Sequence, residues 1–531
     1  MNRSKLKTDW NSCFFGYAAP ERFSRILPFL TCLAIVLASG CLHPHPPTDP
    51  EDRTTRDYSY VIAIPALDED SIRITFTTNR ETDFLLPFHY FDNPVDLCEG
   101  PTIRDLVVTD ATGEDVAFGT DSVTAGPVTT YRLLLPDDID YPVTMEYHLD
   151  LSVVHPDSTR LTLPEVHITN ESLLLFGAHM FILPDIGSSR TELWRSPCPV
   201  EIHVSVADAI PLYGIPGSTF TCNTLYELLF IQLSAGQQPL STGHGGGVDF
   251  VFINNADTTY PVSVIDSLSQ QFSRILDTLA TSFGTFTGEP YTVGFLPTWG
   301  GLEGSFSFMA GVPSNNIGSS FPEILAHEAL HHFIGIRCGE FDDPWWKESA
   351  ATYLSLMTMI RMQFYHPADI KKRMTTRFIY ADTTLFQHAL SDPWLRENMF
   401  TDLVHGIVYE RGAQVMMLLD VAIRLGSENR SSLLTVTAEL CRMFEGGAFH
   451  RSDFLAALEK SGMNNVTDFF ERYVDDPLGC PDSLTLNAAF AKLDSLSGYS
   501  DRSGFSDPAA ARADVVTVPS VQRHEHVPPK Q

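Results

Sequence analysis

From Tyr58 to Val206 apolar and polar residues alternate in short runs, among them "YSYVIAIPAL", "SIRITFTT", "TYRLLLP", "TMEYHLDLSVV", "TRLTLPEVHI" and "EIHVSVADAI". A period of two buries one face of a strand, and the Pro, Asp, Asn and Gly residues between the runs supply turns. The pattern predicts an all-β domain of sandwich or saddle type over 58–209. From about Ile210 it changes. "GGVDFVFINN" and "EPYTVGFLPT" predict strands on either side of the amphipathic helix "VSVIDSLSQQFSRILDTLATSFG". "GGLEGSFSFMAGVP" predicts a further strand opened by a glycine turn, and two helices follow, around His327 and Glu348. These elements make an α/β domain over 210–365. A mostly helical region over 366–490 includes "VYERGAQVMMLLDVAIRLG" and "SDFLAALEKSG". The small, charged and proline-containing residues of 491–531 predict a disordered tail. The expected fold class is multidomain α+β.

At 531 residues the chain exceeds one ordinary core, which agrees with that division. The formal charge of -31 excludes nucleic acid as a partner, since phosphates demand clustered lysine and arginine. Residues 1–40 change the picture of where the protein works. A basic stretch ending at Arg25 precedes "ILPFLTCLAIVLASGC", an apolar run too short to span a membrane and closing on small residues. This predicts a cleaved signal. Leu37-Ala38-Ser39-Gly40-Cys41 resembles a bacterial lipobox, which implies a lipid anchor on Cys41 and a place in the bacterial cell envelope; the alternative is an ordinary secretory signal. The polar, proline-rich residues 41–57 suit a tether. Six further cysteines (Cys98, Cys198, Cys222, Cys338, Cys441, Cys480) permit disulfides in an exported protein without fixing their pairing.

The chemistry concentrates in "EILAHEALHHFIG", Glu323 to Gly335. His327 and His331 stand at i and i+4, one turn apart on the same helix face, and Glu328 follows the first histidine. This is H-E-x-x-H, in which two imidazoles bind zinc and the glutamate acts on a water. The competing reading is a half-buried helix whose histidines are hydrogen-bonded inside. A third ligand decides between them, because catalytic zinc needs three protein ligands and an open position. A third histidine six residues past His331 is excluded, since Arg337 stands there. Glu348, near the start of the next helix in "DPWWKESAATYLSLMTM", fits the role, and Ala350 and Ala351 let the two helices approach. His332 points about 100° away from His331 and reads as a packing residue.

With Glu348 added, "WWKESAATY" resembles the glutamate helix of the gluzincin aminopeptidases. Two other motifs agree in order and approximate spacing. "GGLEG", Gly300 to Gly304, is similar to the G-G-L-E-H element of the glycyl aminopeptidases and the G-x-M-E-N element of the aminopeptidase N family. "YERGA", Tyr409 to Ala413, resembles their Y-E-K-G-A element. Sixteen residues separate His331 from Glu348, two fewer than in the aminopeptidase N pattern, and Gly304 replaces the final histidine or asparagine. The resemblance implies a thermolysin-like catalytic domain holding one Zn2+ on His327, His331 and Glu348. It also implies Glu328 as general base, Tyr409 as donor to the oxyanion, and Gly300, Gly301 and Glu303 as binders of substrate, Glu303 through the free α-ammonium. His405 is a second candidate donor, although packing is its commoner role. The expected function is an exported zinc aminopeptidase acting on peptides or proteins. The alternatives are an endopeptidase of the same fold, or a catalytically silent binding lipoprotein.

Overall fold

The computed structural model describes residues 57–497 except 66–70, 87–101, 126–127, 152–166, 169–172, 186–196, 208–209, 237–238, 255–259, 288–289, 297–299, 312–320, 339–342, 344, 377–387, 398–403, 405 and 448. The leader, Cys41, the tether, Cys98 and His405 therefore lie outside the described residues. The alternating runs form strands β1 (Tyr58–Ile64), β2 (Ser71–Thr78), β3 (Asp83–Leu85), β4 (Thr102–Thr109), β5 (Gly119–Ala125), β6 (Val128–Leu134) and β7 (Val143–Asp150). After them come β8 (His167–Ile168), β9 (Leu173–Phe176), β10 (Leu183–Asp185), β11 (Val200–Val206), β12 (Leu212–Tyr213), β13 (Thr219–Cys222) and β14 (Gln232–Ala235). They make a six-stranded sheet, β13-β11-β1-β2-β7-β4, and two four-stranded sheets, β10-β3-β6-β5 and β12-β14-β9-β8. Period-two burial holds along β1, where Tyr58, Tyr60, Ile62 and Ile64 face a core shared with Phe76, Tyr147 and Phe181.

This β domain runs to Ala235 and not to residue 209. Strands β12, β13 and β14 complete its sheets, and the short helix Leu225–Leu229 packs in its core. The added strands are two to four residues long, too short for alternation to show.

The second domain opens on a strand that the pattern did not predict, β15 (Pro239–Gly245), paired antiparallel with β16 (Val248–Asn254). Strand β17 (Tyr291–Leu296) lies parallel to β16, and β19 (Ser307–Gly311) parallel to β17. "GGLEGSFSFMAG" is two strands instead of one: β18 (Gly300–Glu303) turns back antiparallel on β19 and forms the edge of the sheet. Helix α1 (Val262–Phe283) covers this sheet. Its buried residues Val264, Ile265, Leu268, Phe272, Ile275, Leu276, Leu279 and Phe283 recur at helical spacing, and Gly284 at φ 98 ends it.

Helices α2 (Phe321–His331) and α3 (Trp346–Arg361) pack together in the same core, with Ala350 and Ala351 fully buried. Beyond them are α4 (Pro367–Thr376), a π-turn over Gly406–Arg411 leading into α5 (Gly412–Gly426), α6 (Leu433–Met443), α7 (Arg451–Lys460), α8 (Val466–Tyr473) and α9 (Ser483–Ser497). Residues 491–497 thus continue a helix instead of belonging to a tail; α9 buries Leu486, Ala489, Phe490 and Leu493 against its neighbours. Among the described residues no helix is long and apolar enough to cross a membrane. Cys222, Cys338, Cys441 and Cys480 are free thiols, the first three of them buried.

Candidate active site

Helix α2 places His327, Glu328 and His331 towards the edge strand β18, and the first turn of α3 brings Glu348 against them. The His327 Nε2 and His331 Nε2 atoms lie 3.0 Å apart, and Glu348 Oε2 is 3.3 Å from the first and 3.2 Å from the second. The Nδ1 atom of His331 is 3.1 Å from the Ile334 carbonyl, which can only accept, so Nδ1 carries a proton there. That contact aims Nε2 at His327 Nε2 and Glu348 Oε2 and fixes the ring. Burial disfavours the His331 cation, yet Glu348 and Glu303 outweigh it and hold the ring up to about 9. Burial keeps His327 below its ordinary value. Tetrahedral zinc with bonds of about 2.0–2.1 Å separates its ligand atoms by about 3.3 Å. Two imidazole nitrogens and one carboxylate oxygen at that spacing, on largely buried side chains, fit zinc in both geometry and donor type.

Glu328 is buried, with Oε2 lacking a hydrogen-bond partner. Burial pushes its carboxyl up to about 8; His331 and Lys347 pull it down, while the Glu303 and Glu348 carboxylates raise it further. The edge strand passes so close that a Cβ on Gly301 would run into the Glu328 carboxylate. Glycine is thus required at 301 to seat Glu328, a role beyond the substrate-binding one expected of it.

Tyr409 comes from the π-turn, a helical irregularity common at functional sites. Its ring stacks on His327 at 5.9 Å between centroids and 25° between planes. Its hydroxyl interacts with Glu348, and burial first, then the Glu348 charge, hold the phenol well above its ordinary value, so it remains a proton donor. The turn is tied to α3 by Ser349 Oγ, which donates to the Val408 carbonyl at 2.7 Å. Gly412 makes this approach possible, because a Cβ there would strike the Ser349 hydroxyl. Gly412→Ala is therefore expected to displace Ser349 and shift Tyr409, lowering kcat about tenfold and stability by about 1–3 kcal/mol. Adding Ser349→Gly should restore much of both, a comparison that kinetics and chemical unfolding of the two variants will make.

Glu303, at the end of β18, is not free. Lys347, the residue before Glu348, donates to its carboxylate. Burial works against both charges, but each holds the other ionised, the Glu303 carboxyl below and the Lys347 ammonium well above the ordinary value. Gln232 of the β domain fastens the same strand, donating through Nε2 to the carbonyls of Leu302 at 2.9 Å and Glu303 at 3.0 Å. A Cβ on Gly304 would meet this Gln232 side chain, which gives the glycine replacing histidine or asparagine a packing reason. Sequence reasoning missed Lys347, Gln232 and Ser349. Only Lys347 had a signal, its place beside Glu348 in "WWKES".

His332 is a packing residue, stacked on Phe286 at 5.0 Å, with Nε2 accepting from the Thr287 amide at 3.2 Å. Burial pushes it down to about 3, as it does His179 in the β domain. Both rings stay neutral in the fold and protonate in the unfolded chain below about pH 6.5, so their contribution is complete above that pH and drains away below it. Each should cost about 2 kcal/mol of stability at pH 5. Unfolding of the demetallated protein at pH 7 and pH 5, with His179→Phe as control, tests this: the variant should lose about 2 kcal/mol less on acidification.

No protein-family profile and no curated protein matches this sequence. Solved structures do share the fold. An aminopeptidase N family protein from Idiomarina loihiensis superposes with a TM-score of 0.56 at 14% identity, over 79% of this chain and 76% of that one. An M1 zinc metallopeptidase mutant from Deinococcus radiodurans, bound to a Tyr-Ser-Ala substrate, gives 0.52 at 16% identity, over 80% and 94%. Native yeast LTA4 hydrolase gives 0.52 at 10% identity, over 79% and 68%. The chain therefore has the multidomain α+β fold of the M1 zinc metallopeptidases, the architecture that the three motifs implied.

Proposed function

We propose that this protein is a zinc-dependent peptidase that removes residues from the N-termini of peptides. The observation that carries the reading is the convergence of His327 Nε2, His331 Nε2 and Glu348 Oε2 to within 3.3 Å of one another, beside the unpartnered Glu328 Oε2. His327, His331 and Glu348 would hold the metal, which when bound supplies Lewis acidity towards the scissile carbonyl and acidifies a water. Glu328 takes the proton of the attacking water on its carboxylate and passes it to the leaving amine nitrogen. Tyr409 donates its hydroxyl proton in a hydrogen bond to the carbonyl oxygen as negative charge gathers there. An extended peptide lies along β18, which among the described residues pairs with no strand besides β19 and so offers an edge for strand addition near Gly300 and Gly301. Glu303 at the end of that strand receives the α-ammonium, which limits cleavage to the N-terminal residue.

Tyr409→Phe is expected to lower kcat by about 10²–10³-fold with little change in KM, because its hydrogen bond forms in the transition state. Turnover of free but not N-acetylated peptides supports the aminopeptidase; equal turnover of both would favour an endopeptidase. The leader ending at Gly40 and the cysteine after it support a site of action in the cell envelope, with Cys41 as lipid anchor. Loss of the protein from the membrane fraction in Cys41→Ser tests that placement.

A further inference from the structure

In the reading just given, Glu303 takes the substrate's ammonium, yet its carboxylate is already paired with Lys347. The lysine is built into place. Its stem lies against Gly335, which at φ 112 and with no Cβ leaves room for it; a Cβ there would stand 2.7 Å from Lys347 Cε. Its ammonium is 5.6 Å from the centre of the Phe230 ring and 3.9 Å from Glu348 Oε1. Only 17% of the Lys347 side chain and 13% of the Glu303 side chain remain exposed.

A second ammonium entering this place meets a difficulty of charge. If it takes Glu303 from Lys347, it leaves a nearly buried cation with only the more distant Glu348 carboxylate and sets two cations side by side, which is costly. The balance is restored when the incoming residue brings its own anion. A side-chain carboxylate beside the α-ammonium replaces, for Lys347, what the α-ammonium takes from Glu303. An uncharged N-terminal side chain offers no such exchange, and a cationic one worsens the repulsion.

We infer that Lys347 is a specificity-determining residue and that Glu303 and Lys347 together accept an N-terminal aspartate or glutamate, the α-ammonium on Glu303 and the side-chain carboxylate on Lys347. The inference rests on the aminopeptidase reading and adds the class of first residue to it. The chain's charge of -31 opposes acidic ligands at a distance, but salt screens that field beyond about 8–10 Å, so the contact at Lys347 governs selection.

The test compares kcat/KM for short peptides that differ only in a first residue of Glu, Gln, Asp or Asn, with N-acetyl-Glu as the blocked control. Wild type should prefer each acid over its amide by about tenfold or more, the value of one charge-assisted hydrogen bond. Lys347→Met keeps the stem against Gly335 and should reduce the preference to unity or reverse it, while Lys347→Arg should retain it. A wild-type acid-to-amide ratio near one, or a ratio unchanged in Lys347→Met, would overturn the proposal. Failure of the peptidase reading shows itself differently, as no turnover of any of these peptides. In that event calorimetry of the Glu and Gln peptides on Glu328→Gln and on Glu328→Gln with Lys347→Met reads the same contrast as binding. Tighter binding of the acid that depends on Lys347 supports the pairing, and equal binding refutes it.

Discussion

Glu328→Gln is expected to lower kcat by about 10³-fold or more while leaving the fold and zinc content unchanged. Glutamine has the shape of the glutamate, and Glu328 is not one of the three proposed ligands, so the metal should stay. What disappears is the capacity to take a proton. Burial raises Glu328 to about 8, and a bound metal's positive charge would pull in the opposite direction, which suits the base role proposed for it near neutrality. The adjoining strand adds a structural control. Gly301 touches the Glu328 carboxylate closely, so an isosteric change should leave β18 in place. Metal analysis, thermal unfolding and steady-state kinetics on the same preparation separate the chemical loss from any structural one.

The second large effect is expected at His331. His331→Ala removes one of the proposed ligands and its contact with the Ile334 carbonyl and leaves Glu348 buried with fewer partners. Zinc affinity should fall by about 10²-fold or more, and turnover at ordinary zinc levels should be lost. Glu348→Gln should also weaken the metal. It also removes the charge that faces Tyr409 and Lys347, so added zinc should restore less activity there than in His331→Ala. Equilibrium dialysis against buffered zinc distinguishes the two variants.

Much of this was legible in the sequence because the signals are periodic or local. His327 and His331 share a face by spacing alone, and the strand and helix patterns of β1, β2, β16 and α1 match the structure closely. The boundary near residue 209 failed because strands of two to four residues carry too few positions for a period to be seen. The single strand expected in "GGLEGSFSFMAG" is a hairpin of two strands of four and five residues, too short for a break between them to show in the alternation. The contact between Lys347 and Glu303 joins residues 44 positions apart. Nothing short-range encodes it, and the resemblance that names Glu303 as an amine anchor is silent about a lysine beside it.

The most direct test of the zinc centre is a titration of demetallated protein with zinc, following hydrolysis of a free peptide. Activity should rise from near zero in proportion to added zinc and level off at one equivalent per chain. Activity that is already full without metal, or that ignores zinc across the titration, would contradict the assignment of His327, His331 and Glu348.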